Sequence, residues 1–363
     1  MIPTPKPGVL DIAAYVGGRH PTGGEDEVHK LSSNESALGP SPAAVAAFEN
    51  TRSSLHLYPD GGATLLRETL AEIHGLNPAR IVCGNGSGEI LTLLADAYLR
   101  PGDEVVFSAH AFLLYRIATL ANSAVPVVVP EKNLRVDVDA MLKAVGPRTR
   151  IVYLANPNNP TGSYLTSEEV RRLHAGLPSS TLFVIDAAYA EFVRRNDYDS
   201  GIEMVSQFEN VVMTRTFAKA YGLAGLRVGW AFCPAHVVDV LDRVRGPFNV
   251  SVPAQAAAVA ALHDKRHVEA AVDHNEKWKS WLTEHIRKLG LRVDDSVANF
   301  ILIHFPDGPH DAKAADAYLH ARGIALRTLN NYGLPHALRM TIGSEEANRR
   351  TVQALSEFMA KRG

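Results

Sequence analysis

At 363 residues, 46% of them hydrophobic and 21% charged, the chain has the length for two unequal domains and enough apolar side chains to fold without covalent staples. Its formal net charge of −2 gives no electrostatic argument for nucleic acid or an acidic membrane surface, so any anion must be held by local groups. Its two cysteines, Cys83 and Cys233, lie far apart in strand-like runs and point to neither a disulfide framework nor a metal knuckle.

Residues 1–32 are rich in Pro and Gly without a sustained period and read as an arm that packs on the rest of the protein and completes its small domain. Tyr15 and Arg19 within it are candidates to face a ligand. The start lacks both the apolar region of a signal peptide and an arginine-rich pattern, and no run approaches a membrane span, so the cytoplasm is the expected compartment. Ser33 to Pro42 reads as a loop, with Ser41 placed to cap a helix over about 42–50 and Pro42 suited to its first turn. Tyr58-Pro59-Asp60-Gly61-Gly62 is a turn that feeds a helix over about 64–74.

From Arg80 onward short apolar runs alternate with helical stretches, the signature of a parallel sheet with crossovers. Strands are expected at 81–83, 104–107, 125–129, 151–154, 182–185, 211–213 and 228–232, with helices at about 88–99, 111–121, 137–144 and 166–175 between them. This is one large α/β domain spanning 33–250. An Ala-rich helical run then begins at Ala254 and continues to about Lys288, with a break near 262–267, and bridges to a small α+β domain. That domain, 251–363 with its bridge, has strands at 300–304, 325–326 and 338–342 and helices at about 311–321 and 345–361.

Five stretches carry candidate chemistry. Gly84-Asn85-Gly86-Ser87-Gly88-Glu89 lies between a strand and a helix, where backbone N–H groups and the helix dipole hold phosphate. A dinucleotide fingerprint needs glycine where Glu89 stands. His110 to Arg116 opens a helix with Phe112, which serves either as a stacking face for a flat ring or as core packing. Asn156-Pro157-Asn158-Asn159-Pro160-Thr161-Gly162 fixes a turn at the carboxyl edge of the sheet, where open α/β folds place their ligands. Asp186 ends a buried apolar run, where a carboxylate is costly unless paired. Lys219 sits on a glycine-punctuated loop between two strand-like runs. There, burial and the neighbours Arg215 and Arg227 should depress its pKa, as a Schiff-base nucleophile requires. His263 and His267 have the spacing of a metal face but lack the acidic group of the protease pattern, and no serine stands in a nucleophile elbow.

Taken in order, from Asn34 to the Arg339 region, these stretches resemble the fold-type I enzymes that use pyridoxal phosphate, specifically the class II aminotransferases and most closely the histidinol-phosphate aminotransferase family. The resemblance implies a large domain with a mainly parallel sheet plus a smaller α+β domain. It implies Lys219 as the residue that binds the cofactor covalently, Asp186 as partner of the ring nitrogen, and Asn159 and Tyr189 at the phenolic oxygen. Phe112 would stack on the ring, and Ser87, Gly88, Thr216 and Arg227 would hold the phosphate. Tyr58 would reach the phosphate of the other subunit, making the active unit a homodimer. Arg339 would grip the carboxylate of 2-oxoglutarate, Arg327 the phosphate of histidinol phosphate, with Tyr15 and Asn34 also on the substrate side.

Five features depart from the family pattern: Asn34-Glu35-Ser36-Ala37 where Asn-Glu-Asn-Pro is usual, Gly88 where aspartate is usual, Ala187 where an acidic residue follows the aspartate, Ala218 where serine precedes the lysine, and the less typical Asn330-Asn331. The activity implied is transfer of an amino group from histidinol phosphate to 2-oxoglutarate, without nucleic acid, membrane or metal. An aromatic amino acid transaminase shares every cofactor residue, and a threonine-phosphate decarboxylase is built alike. A non-catalytic pyridoxal-phosphate-binding regulator would carry a DNA-binding segment, which this chain lacks.

Overall fold

A computed structural model describes residues 2–14, 17–18 and 28–360. The strands, in chain order, are β1 (His29–Lys30), β2 (Ile81–Gly84), β3 (Glu104–Ser108), β4 (Val125–Val129), β5 (Thr149–Ala155), β6 (Leu182–Asp186), β7 (Val211–Thr216), β8 (Gly229–Phe232), β9 (Arg292–Val293), β10 (Phe300–His304), β11 (Ile324–Ala325), β12 (Arg327–Thr328) and β13 (Ala337–Thr341). Seven of them form one sheet in the order β2-β8-β7-β6-β5-β3-β4. All neighbours in it are parallel except β8, which runs antiparallel to both β7 and β2.

The central strands read as unbroken apolar runs because both faces of the sheet are covered. Val152, Leu154, Phe183, Ile185, Val211 and Met213 point to one core, shared with helices Thr64–His74, Val138–Ala144 and Ser167–Ala175. Ile151, Tyr153, Leu182, Val184 and Val212 alternate with them into a second core under helices Ser87–Tyr98, Leu113–Ala121 and Ala235–Val244. The parallel sheet with crossovers is as expected, as is the Ser41 cap, whose hydroxyl accepts from the Ala44 N–H at 3.1 Å.

The second sheet has the order β12-β13-β10-β9, all antiparallel, and β1 pairs with β11 beside it. Its apolar face, including Ile301, Ile303, Leu338 and Met340, packs with Trp278, Leu282, Leu319 and Leu355 from helices Lys265–Lys288, Ala312–His320 and Glu345–Ala360. The expected break in the long helical run falls at Asp264, whose carboxylate accepts from the His267 N–H at 3.2 Å and caps the second helix. His263 and His267 therefore belong to two helices, and His267 bonds the Gly39 carbonyl instead. The first helix, Val252–His263, puts Ala254, Ala257, Ala258 and Ala261 into the core of the large sheet. Its small residues let it sit close to helix Pro42–Glu49.

Sequence periodicity missed helices Ile202–Gln207 and Ala235–Val244. The second contains four valines that disfavour an isolated helix, and it holds because Val237, Val238 and Leu241 are buried against the sheet. Among the described residues of the N-terminal arm, β1 pairs with β11 in a two-stranded sheet and Leu31 packs into the small domain's core, while Pro7 rests near helix Leu113–Ala121, its carbonyl accepting from Ser123 Oγ at 2.8 Å.

Candidate active site

The carboxyl ends of β5, β6 and β7, the turn before helix Ser87–Tyr98, the Lys219 loop and the edge of the small sheet enclose a cavity of about 220 Å³. At its floor β6 ends in Asp186, 5% exposed. Burial pushes the Asp186 carboxyl up, and hydrogen bonds from Tyr115 Oη at 2.8 Å, Thr214 Oγ1 at 3.2 Å and the Ala188 N–H pull it partly back. Every one of these donors is neutral. A desolvated carboxylate facing a cavity in this way is suited to a cationic N–H partner there.

At the phosphate-sized end, Ser87 and Gly88 present backbone N–H groups at the first turn of a 12-residue helix. Gly86 before them has φ +80, and a Cβ there would sit 2.6 Å from Arg227 Nη2, so glycine is needed both for the backbone and for the guanidinium. Glu89 closes this turn, its carboxylate accepting from the Asn85 N–H and from Asn249 Nδ2, each at 2.6 Å. That explains a glutamate where a dinucleotide fingerprint has glycine. Thr216 Oγ1 accepts from the Ala218 N–H at 3.1 Å, which leaves its own proton to donate into the cavity. Arg227 adopts a left-handed backbone, φ 55, rare for such a side chain, to bring its guanidinium to the same end. Gly88 lacks the side chain of the usual aspartate but leaves the backbone donors of this turn in place.

Lys219 is half-buried, and desolvation first, then Arg339, lowers its pKa to about 7; Glu35 opposes the shift, and Arg227 and Lys30 add to it. Its amine donates to the Ser33 carbonyl at 3.0 Å. Arg215, expected beside it, has no such part: it is buried against Glu191, with Nη2 2.7 Å from Oε1. Tyr189 packs edge-on to Phe300, and burial pushes its hydroxyl up to about 12. Phe112, immediately before helix Leu113–Ala121, flanks the cavity beside Pro157 and Asn159.

The opposite wall comes from the small sheet. Arg327 of β12 and Arg339 of β13 are direct cross-strand partners, 6% and 4% exposed, and both line the cavity. Like charges facing each other across a ladder are unfavourable, and an anionic ligand offsets that. Arg339 also bonds Asn159 Oδ1 and donates to the Ser32 carbonyl at 2.8 Å, which turns Asn159 Nδ2 toward the cavity.

Twelve of the residues singled out from the sequence thus surround one cavity, Asn34 among them. Tyr58 is 82% exposed, stacked on Phe248 at 4.7 Å and absent from its own chain's cavity. Tyr15 and Arg19 lie outside the described residues. Sequence reasoning missed Tyr115 as the donor to Asp186, although it stands three residues after Phe112 on one helical face. It also missed the Ser32 and Ser33 carbonyls, which no side-chain pattern could reveal. Among the described residues no group of His, Cys, Asp and Glu is placed to hold a metal ion.

The family described as aminotransferase class I and II matches residues 26–355. The chain belongs to this family. The aminotransferase is 57% identical over 361 residues to the histidinol-phosphate aminotransferase of Rhodopseudomonas palustris strain TIE-1, covering 99% of both chains, and 55% identical to that of strain BisB18. Its fold matches the crystal structure of histidinol-phosphate aminotransferase from Sinorhizobium meliloti in complex with pyridoxal-5'-phosphate, with a TM-score of 0.83 and 29% identity over 91% of this chain and 90% of that one. The aspartate aminotransferase of Thermus thermophilus with maleate shares the fold at a TM-score of 0.80 and 24% identity, covering 91% of this chain and 92% of that one.

Proposed function

We propose that this aminotransferase moves an amino group from histidinol phosphate to 2-oxoglutarate, with pyridoxal phosphate bound covalently at Lys219. The observation that carries the reading is the placement of Lys219, a buried carboxylate bonded by neutral donors and two opposed buried arginines around one cavity. The full-length likeness to the Rhodopseudomonas palustris enzymes supports it further. Residues 33–250 are then the cofactor-holding domain, and 251–363 hold the bridging helices, of which Val252–His263 packs on the large domain, and the smaller domain.

When bound, pyridoxal phosphate supplies an electron sink for charge that develops at the donor's α-carbon. Asp186 keeps that sink effective by pairing with a protonated ring nitrogen. Ser87 and Gly88 N–H groups, the Thr216 hydroxyl and Arg227 hold the phosphate, while Asn159 Nδ2 and the Tyr189 hydroxyl donate to the phenolic oxygen. Phe112 packs on one ring face. With a pKa of about 7, Lys219 carries a free amine in a useful fraction of molecules near neutrality. Once freed by the donor's amine, the Lys219 amine would take the proton from the donor's α-carbon and deliver it to the cofactor carbon on the far side of the shared nitrogen, as a general base and then acid. Arg327 meets the donor's phosphate. Arg339 meets the acceptor's α-carboxylate, and 2-oxoglutarate's second carboxylate falls to Arg327.

The active unit in this reading is a homodimer in which Tyr58 serves the partner's cavity. Leu55, Leu57, Tyr58, Leu65 and Phe248, all exposed on one chain, supply an apolar surface for a second copy. The test is spectroscopic: purified enzyme receives histidinol phosphate, phenylalanine or threonine phosphate in turn, without acceptor. Conversion of the cofactor's absorbance by histidinol phosphate at the lowest concentration is expected; preference for either other compound would overturn the substrate assignment.

A further inference from the structure

The stretch Ser32-Ser33-Asn34 touches three site residues in succession. The Ser32 carbonyl accepts from Arg339, the Ser33 carbonyl from Lys219, and Asn34 Nδ2 donates to Tyr189 Oη at 2.8 Å. Asn34 is 1% exposed and left-handed, φ 57, a conformation that asparagine tolerates. Thr341 fixes which way its amide points. Thr341 Oγ1 accepts from the Asn34 N–H at 2.9 Å and donates to Asn34 Oδ1, 3.2 Å away. With Oδ1 held in this way, the Nδ2 end faces Tyr189. The Asn34 carbonyl is pinned in turn by Asn299 Nδ2 at 3.1 Å.

We propose that Asn34 is a positioning residue that forces Tyr189 to act as a donor: by occupying the acceptor side of Oη, it leaves the hydroxyl proton for the phenolic oxygen of the cofactor. This assignment rests on the reading of the site given above and moves Asn34 from substrate contact to control of hydrogen-bond direction. Asparagine and threonine accomplish together what neither does alone, because a free amide could rotate and accept the tyrosine proton.

The readout is the pH midpoint at which the bound cofactor's visible absorption band changes, since a donor to the phenolic oxygen weakens that oxygen's hold on the proton of the neighbouring lysine-linked nitrogen. Other charges face this group: Arg339 from β13, Arg227 from the loop before β8, Glu35 and Lys30 from the N-terminal segment, and Asp186 from β6, with Tyr332 also near Tyr189. Asn34→Asp keeps shape and the Thr341 bond but accepts from Tyr189 and so reverses the bond. It also adds a charge, so the comparison is made in both the Tyr189 and the Tyr189→Phe backgrounds. Loss of one donor is expected to raise the midpoint by about one pH unit, equivalent to about 1.4 kcal/mol. In the Tyr189→Phe background that part of the shift should vanish, leaving only the effect of the added charge. Equal shifts in both backgrounds would mean that Asn34 acts through charge or packing alone and would overturn the proposal. If wild-type protein shows no lysine-linked absorption band, the assignment of the cofactor itself fails, an outcome separate from both.

Discussion

Replacing Arg327 by alanine separates recognition of the two ends of the substrate. The guanidinium is buried in β12 and opens on the cavity directly across the ladder from Arg339. A fork-shaped contact to a phosphate comprises two charge-assisted hydrogen bonds, each of about 1.5–3 kcal/mol. The lower bound of about 3 kcal/mol corresponds to a loss of roughly a hundredfold or more in kcat/KM for histidinol phosphate. Phenylalanine has no phosphate, and its carboxylate is left to Arg339, so its half-reaction should change by less than about threefold, which is under 1 kcal/mol. Stopped-flow absorbance of each half-reaction, without acceptor, gives both numbers from one preparation. Equal losses for the two amines would show that Arg327 supports the ladder rather than the phosphate, and the argument from the opposed arginines would fall.

Arg339→Ala should impair every half-reaction with a carboxylate and, because it also frees the Asn159 amide, weaken cofactor retention measured by dialysis. Borohydride reduction followed by peptide mapping should label Lys219, and Lys219→Ala should keep the cofactor only non-covalently; a label on another lysine would refute the assignment. In cofactor-free protein the depressed Lys219 pKa means that the unfolded chain binds a proton which the folded chain does not, between about pH 7 and the ordinary lysine value of 10.5. Stability therefore rises with pH across that window, and Lys219→Met should raise Tm at pH 7 while the gain disappears by pH 10.5, as calorimetry can show. Tyr115→Phe removes one bond to Asp186, and a loss of about 1 kcal/mol should weaken cofactor affinity about fivefold in a fluorescence titration. Mixing inactive Lys219→Ala and Tyr58→Ala proteins under exchange conditions should recover up to roughly a quarter of wild-type activity, because half the dimers then hold one intact site; no recovery would argue against a shared site.

Much of this molecule was legible before its structure. The large sheet announced itself through buried strands such as 182–185, whose continuous apolar runs have one meaning in a chain that alternates them with helices. Asp186 was legible because a carboxylate that ends a buried apolar run is costly unless paired, and Lys219 because its loop lies between two buried strands, whereas Asn159 was reached only through the resemblance of its motif. The misses have a physical pattern. Strands of two residues, β9 and β12, are too short to show a period, and helix Ala235–Val244 owes its existence to packing rather than propensity. Arg215 was misjudged because proximity in sequence to Lys219 says nothing about Glu191, 24 residues earlier, which takes up its charge. The direction of the Asn34–Tyr189 bond depends on Thr341, 307 residues away from Asn34, and no local signal encodes it.

The opposed arginines have one consequence for how the small sheet may move. Both grips stand on adjacent strands of a single ladder, so the distance between their backbones is set by the strand spacing of roughly 5 Å and not by how far the cavity is open. A tilt of the sheet as a body carries the phosphate grip and the carboxylate grip together. Donor and acceptor, which never occupy the site at once, then meet the same closed geometry. A substitution that hinders closure should therefore shift KM for both in the same direction, as should loss of Arg327, which serves both, whereas a substitution at Arg339 pulls the two apart.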